Sequence, residues 1–181
     1  MWNDDTYQNE YGKCAYVAGT VSVLTGDLGT ALYHAGVKNE ALESDVFCIE
    51  TCDEDVIRSC VRERAEKFLI QESDEPQAIE LLDAEIKKLM IGESNKSMQS
   101  AISELYKDKS DVDKERADEA IENYCTHIKY YLGKPQAVYS VARDSVEMLG
   151  KLANVYLYML FDIIFVEFES HLLMFMRGSV E

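Results

Sequence analysis

The chain has 181 residues, with 34 acids against 18 bases, a net charge of −16 and 47% hydrophobic residues. A chain of this size can bury roughly 70% of its unfolded surface, so a single domain spanning 1–181 needs neither disulfide nor metal to hold a core. The charge argues against direct binding to nucleic acid, itself a polyanion, because no basic stripe relieves it: Lys107 and Lys109 sit among Asp108, Asp111 and Asp113.

The amino terminus, MWNDDTYQNE, has neither a basic stretch nor an apolar run and does not read as a secretory signal. Residues Cys14 to Leu24 suggest one arm of a helical hairpin, broken at Gly26, with Gly29 to Ala35 opening the second arm. The β-branched Val17, Thr20, Val21 and Val23 also permit a strand there. The stretch GDLGTALYHA resembles the turn of a tetratricopeptide unit, and Tyr130 to Ala142 has a similar look. Two copies out of register make no stacked array, so both read as ordinary helix-turn-helix joints.

Thr51 and Glu54 have the spacing of a capping box, and Ile57, Val61, Arg64 or Ala65, and Phe68 then fall on one helical face. Another helix begins near Pro76, with Ile79, Leu82, Ile86 and Leu89 inward and Gly92 at its end. A short helix carries Met98, Ile102 and Leu105. From Ser110 to Gly133 the pattern is clearest: Ala117, Ile121, Tyr124, Ile128 and Tyr131 recur every three or four residues. Pro135 can open one more helix, with Val138, Ala142, Val146 and Leu149 inward and Gly150 closing it.

The tail admits two readings. As a helix it runs unbroken from about Leu152 to Met176, since no Gly, Pro or Asn lies between Val155 and Arg177. As a hairpin it turns at Glu169-Ser170, which sets Phe168 opposite His171, Val166 opposite Leu173, Ile164 opposite Phe175 and Asp162 opposite Arg177. Phe, Val, Ile and Tyr dominate from Val155 to Phe168, as strands prefer. A membrane span is disfavoured by Asp162, Glu167 and Glu169, each costing about 2.5–3.5 kcal/mol near a span centre. The preferred fold class is α+β, mostly helical, a domain of about five to seven helices with a C-terminal β-hairpin. The alternative is all-α with one long buried C-terminal helix.

Little in the chain points to catalysis. The five cysteines (Cys14, Cys48, Cys52, Cys60, Cys125) are odd in number and irregular in spacing, which argues for thiols and a cytoplasmic setting. Cys48, Cys52 and Cys60 lack the second ligand pair of a structural zinc site, and His34, His127 and His171 are scattered. Glu167 and His171, with Asp162 and Glu169 nearby, are the combination closest to a metal-carboxylate site, but the Glu-x-x-His spacing of diiron bundles does not occur. There is no nucleophile elbow, phosphate-binding loop or dinucleotide fingerprint. Cys125 and His127 would point apart on a helix. No catalytic residue and no cofactor is expected. Eleven tyrosines, six of them at Tyr124, Tyr130, Tyr131, Tyr139, Tyr156 and Tyr158, suit protein recognition as well as a core.

The ending from Phe161 to Glu181 is an apolar strand, a short polar turn, a second apolar strand and a closing Gly-Ser-Val-Glu. It resembles the endings of some bacterial toxin-immunity proteins. That resemblance implies a small cytoplasmic protein that neutralises a toxin by tight binding and has no catalytic residues. Together with the net charge it suggests a non-catalytic acidic module that occludes a basic toxin or nuclease partner. The candidate contacts are Asp53, Glu54, Asp55, Asp74, Glu75, Asp108, Asp111 and Asp113, although acids at helix starts also complement the helix dipole. Two other classes fit the residues: a metal-carboxylate helical enzyme or carrier built on Glu167 and His171, and a homo-oligomeric structural protein that buries its apolar tail between subunits.

Overall fold

In a computed structural model of the protein, the backbone is described for residues 4–66, 75–142 and 160–179, and side chains for 15–66, 79–142 and 162–178. The elements in order are α1 (Asp4–His34), β1 (Glu40–Cys48), α2 (Glu54–Glu66), α3 (Glu75–Ile86), β2 (Ile91–Ser94), α4 (Met98–Glu104), α5 (Lys114–Leu132), β3 (Ala137–Val141), β4 (Leu160–Glu167) and β5 (His171–Ser179). The strands form one antiparallel sheet in the order β1-β5-β4-β3-β2.

Helices cover both faces of that sheet. Val46, Val138, Ile164, Val166, Leu173 and Phe175 belong to one core, with residues of α1, α4 and α5. Phe47, Val141, Ile163, Phe165, Leu172, Met174 and Met176 belong to the other, with residues of α2 and α3. Alternate residues of β4 and β5 therefore enter different cores. Both sets are apolar, so the strands read as continuous hydrophobic runs rather than as an alternation.

This corrects the expected fold class. The protein is α+β, but the tail is no appended hairpin on a helical body: β4 and β5 are two strands of a five-stranded sheet, flanked by β1 on one side and β3 and β2 on the other. The all-α alternative fails with it. Within the β4–β5 pair, Asp162 lies opposite Arg177, Ile164 opposite Phe175 and Val166 opposite Leu173, and the Phe168 N–H donates to the His171 carbonyl at 2.8 Å.

Other elements differ from expectation. α1 is one continuous helix through Gly26, not a hairpin. A mid-helix glycine costs about 1 kcal/mol relative to alanine, and packing of Val21, Leu28 and Leu32 into the core outweighs it. Thr51 is not a helix cap: the Asp53 carboxylate accepts the Val56 N–H at 2.9 Å, so α2 starts two residues later than a capping box at Thr51 requires. Gly92 lies in β2, opposite Ser140, rather than after a helix. Pro135 precedes a strand, so the expected helix from there is replaced by β3 as far as Val141; its later part, with Val146, Leu149 and Gly150, lies outside the described residues, as does Phe68.

α5 forms within the expected Ser110–Gly133 segment but begins at Lys114. The Asp113 carboxylate accepts the Arg116 N–H at 3.2 Å at its start, and Gly133, at φ +90°, ends it. Ala117, Ile121, Tyr124 and Ile128 are buried as the pattern demands, but Leu132 takes the last inward position and Tyr131 is 37% exposed. The end of α1 is knitted to the loop before α5. The Asp113 N–H donates to the Ala35 carbonyl at 2.8 Å, and Gly36 (φ +105°) lies so close to the loop that a Cβ there would meet the Asp111 carbonyl oxygen at 2.6 Å.

Candidate functional site

The eight acids singled out in the sequence do not form one surface. Asp53, Glu54 and Asp55 stand at the start of α2. There Asp53 caps the helix, while Glu54 and Asp55 hold Arg58 at 3.0 and 3.3 Å. These charges are engaged by their own helix. Asp74 lies outside the described residues, and Glu75 is the first residue of α3, with its side chain outside them too. Asp108 and Asp111 are exposed in the loop before α5, and Asp113 caps that helix and meets Arg116 at 3.6 Å.

The two groups lie at opposite ends of β1. Just before the Asp53 group, the Ile49 N–H reaches the Ser170 carbonyl of the β4–β5 turn at 3.1 Å. In the Asp108 group's loop, Lys109 pairs with Glu40 at the other end of the strand. Nine residues of strand separate those ends by roughly 27 Å.

The structure joins the second group to carboxylates that were not singled out. Glu115, Asp118, Glu119 and Glu122 are all exposed on α5. Their spacing of i, i+3, i+4 and i+7 puts them on one helical face. None has a cation within ion-pair distance among the described residues; Asp118 only receives the Ser103 hydroxyl at 3.4 Å. The signal was legible: polar positions on a helix repeat with the same period as apolar ones.

A deeper charged group sits under the start of β1. Arg177 on β5 grips Glu40 through two nitrogens, at 2.6 and 2.8 Å, and Asp162 on β4 through a third at 3.1 Å. Lys109 completes the charge on Glu40, and the Arg177 guanidinium lies 5.2 Å from the centre of the Tyr106 ring. Burial alone would push Glu40 up, but Arg177 and Lys109 more than offset it and hold the carboxyl below its ordinary value. The group ties three strands to the α4–α5 loop. Its charges are matched within the fold, which suits a structural role.

The residues with potential chemistry lie apart. Glu167 and His171 face opposite sides of the sheet, because Glu167 pairs with Leu172 while His171 is aligned with Phe168 and Cys48. Glu167 accepts the Tyr139 hydroxyl at 2.9 Å. His171 contacts the Ser170 hydroxyl at 3.0 Å, and burial lowers its pKa. Among the described residues, no three His, Cys, Asp or Glu side chains gather as metal ligands. Burial pushes the thiol of Cys52 up to about 11, with the charge of Glu167 adding to it. Burial likewise raises Cys60 to about 12 and Cys125 to about 12. Such thiols stay protonated near neutrality and are poor nucleophiles.

No family model and no curated protein matches the chain. Two crystal structures of citrus MAF1 are similar in outline. One shares 11% identity over 87% of this chain and 98% of that one, at a TM-score of 0.40. The other shares 11% over 86% and 98%, at 0.37. Likeness at that level carries no argument about function. Among the described residues, no helix is long and apolar enough to cross a membrane.

Proposed function

We propose that the protein is a non-catalytic binding module whose acidic surface, formed by α5 and the loop before it, takes a basic polypeptide. One observation carries the reading. Glu115 and Glu119, and Asp118 and Glu122, are like charges four residues apart on α5, and none of them has a cation within 4.0 Å among the described residues, although Lys114 and Arg116 lie in the same turn. Each such pair costs an isolated helix about 0.2–0.5 kcal/mol. Glu115 gains from the helix dipole in the first turn, but Glu122 stands beyond its reach. A partner supplying lysines or arginines would relieve the repulsion and gain attraction at a distance. Asp108 and Asp111 are exposed in the loop that leads into α5, whereas Asp113 serves α5 as its cap, as Asp53, Glu54 and Asp55 serve α2. Tyr130, 82% exposed farther along α5, offers an aromatic contact at the rim.

Occlusion of a basic toxin or nuclease in the cytoplasm, as by an immunity protein, is the specific form of this proposal. The test is capture of partners on the immobilised chain at low salt, side by side with a variant in which Glu115, Glu119 and Glu122 are changed to Gln. A stoichiometric basic polypeptide that elutes in high salt and is lost by the variant supports the reading. Equal retention by both proteins sinks it.

A further inference from the structure

A second surface, opposite in sign, lies at the far edge of the sheet. β2 ends at Ser94, and residues 95–97 turn the chain into α4. Facing them, α5 ends and residues 133–136 lead into β3. Between these walls is an open groove of about 910 Å³. Lys96, Lys129 and Lys134 line it together with the amides of Gln99 and Gln136, and Glu93 is its single carboxylate among the described residues.

In a chain with 34 acids and 18 bases, this is a local inversion of charge. Arg58, Arg62, Arg64, Arg116 and Arg177, the described arginines, are all held by carboxylates of the fold. Lys96 reaches Glu104. Lys129 and Lys134, by contrast, have no carboxylate within 4.0 Å among the described residues. Lys129 stands in the last turn of α5, where a cation complements the helix dipole. That accounts for Lys129 but not for Lys134, which lies beyond the helix, or for Lys96 on the opposite wall.

The walls are fixed by the backbone. Gly133 at φ +90° turns the chain sharply out of α5, a conformation that side chains disfavour. The Gln136 N–H then donates to the Glu167 carbonyl at 2.8 Å, and the Ser97 hydroxyl accepts the Ser100 N–H at 3.1 Å on the other side. The groove falls within the size range of small-molecule sites, and its lining joins ammonium, amide and hydroxyl groups to the apolar Met98, Pro135 and Val138. No aromatic ring of the described residues lines it, so none of them would stack a nucleobase there. Lysine ammoniums act as point charges that suit phosphate oxygens dispersed over a ligand, without the forked geometry a carboxylate prefers.

We propose that this groove binds a small molecule carrying several phosphate groups, with Lys96, Lys129 and Lys134 as its charge contacts. The site is separate from the acidic face of α5 and does not depend on it. Titration calorimetry with inositol hexakisphosphate tests it, comparing the unaltered chain with Lys129→Gln/Lys134→Gln and with a control, Lys87→Gln/Lys88→Gln. The expected result is one site that weakens with salt, with affinity reduced roughly tenfold or more in the groove variant and kept in the control. Lys129 and Lys134 are exposed and without ion pairs among the described residues, so the variant's thermal unfolding should match that of the unaltered chain. No binding at millimolar probe, or equal affinity in the groove variant, overturns the proposal. Displacement of the probe by a glutamate-rich peptide at matched charge also overturns it, in favour of an acidic polypeptide.

Discussion

Strand β1 carries charge on both faces, at different depths. Toward α1 and α5, Glu40 is 3% exposed and meets Arg177, itself 11% exposed. Toward α2, Glu43 and Asp45 both meet Arg64, with the two carboxylates 36% and 23% exposed. The residue types are the same, but solvent is not. A buried carboxylate depends on its partner, because removing the partner leaves an uncompensated charge. A half-exposed one can fall back on water and gains little from its pair. The two faces of one strand therefore form an internal control for what burial does to an ion pair.

The largest expected effect breaks the deep pair. Arg177→Met leaves Glu40 with Lys109 as its one remaining cation and removes a contact of Asp162, and should cost about 3–5 kcal/mol in urea unfolding. Replacing both members, Glu40→Gln with Arg177→Met, should recover part of that loss, because Glu40 then carries no charge to compensate, while Asp162 still lacks its contact with Arg177. A single variant as stable as the unaltered protein would show that Glu40 finds water or Lys109 sufficient.

Acid sharpens the same comparison. Burial opposes ionisation of Glu40, and Arg177 and Lys109 outweigh it, so the folded carboxyl lies below its ordinary 4.5. A group lowered on folding contributes its full stability above that ordinary value and loses it as pH falls through the folded one. Unfolding free energy should therefore fall below about pH 4.5 more steeply in the unaltered protein than in Glu40→Gln. Parallel curves would remove Glu40 from the account of acid sensitivity.

These pairs also show why the sequence was legible in some places and not in others. The body and end of α5 could be read, since its apolar period and the Gly133 stop are local, while its start at Lys114, capped by Asp113, was not separated from the preceding loop. The β4–β5 register follows from a turn at Glu169-Ser170 and a period of two. β1 went unread. Its segment EALESDVFC mixes acids with apolar residues in no simple alternation, because each face meets a different partner. Glu43 is answered by Arg64, 21 residues away, and Glu40 by Arg177, 137 residues away. Only the tertiary fold makes such charges compatible with a covered strand. β2 and β3 are four and five residues long, too short for a period to declare itself beside Pro135. Of the acidic surface, Asp108, Asp111 and Asp113 could be found as a cluster in the chain. The stripe on α5 needed the polar side of the helix to be read as closely as the apolar one.

A third perturbation tests a neutral buried group on the deep face. Thr25 is 1% exposed, and its hydroxyl oxygen lies 2.8 Å from the Ser44 hydroxyl and 3.1 Å from that of Tyr124. Thr25→Val keeps the shape and leaves the buried Tyr124 hydroxyl without this partner. The expected cost is about 1–3 kcal/mol, read from thermal or urea unfolding. A cost near zero would mean that Tyr124 and Ser44 reach each other or water once the hydroxyl is gone.

The smallest effect is expected on the shallow face. Arg64→Met removes the cation that Glu43 and Asp45 share, but both carboxylates keep enough contact with solvent to stay hydrated. The methionine also retains much of the apolar stem that packs beside the sheet. The loss should be about 0.5–1 kcal/mol and should shrink in high salt, where the attraction is screened in any case. The decisive quantity is the ratio between the two arginine variants measured under one set of conditions. If Arg64→Met costs as much as Arg177→Met, exposure does not set the strength of these pairs, and the like charge of Glu43 and Asp45, brought together by β1 without a cation, governs the shallow face instead.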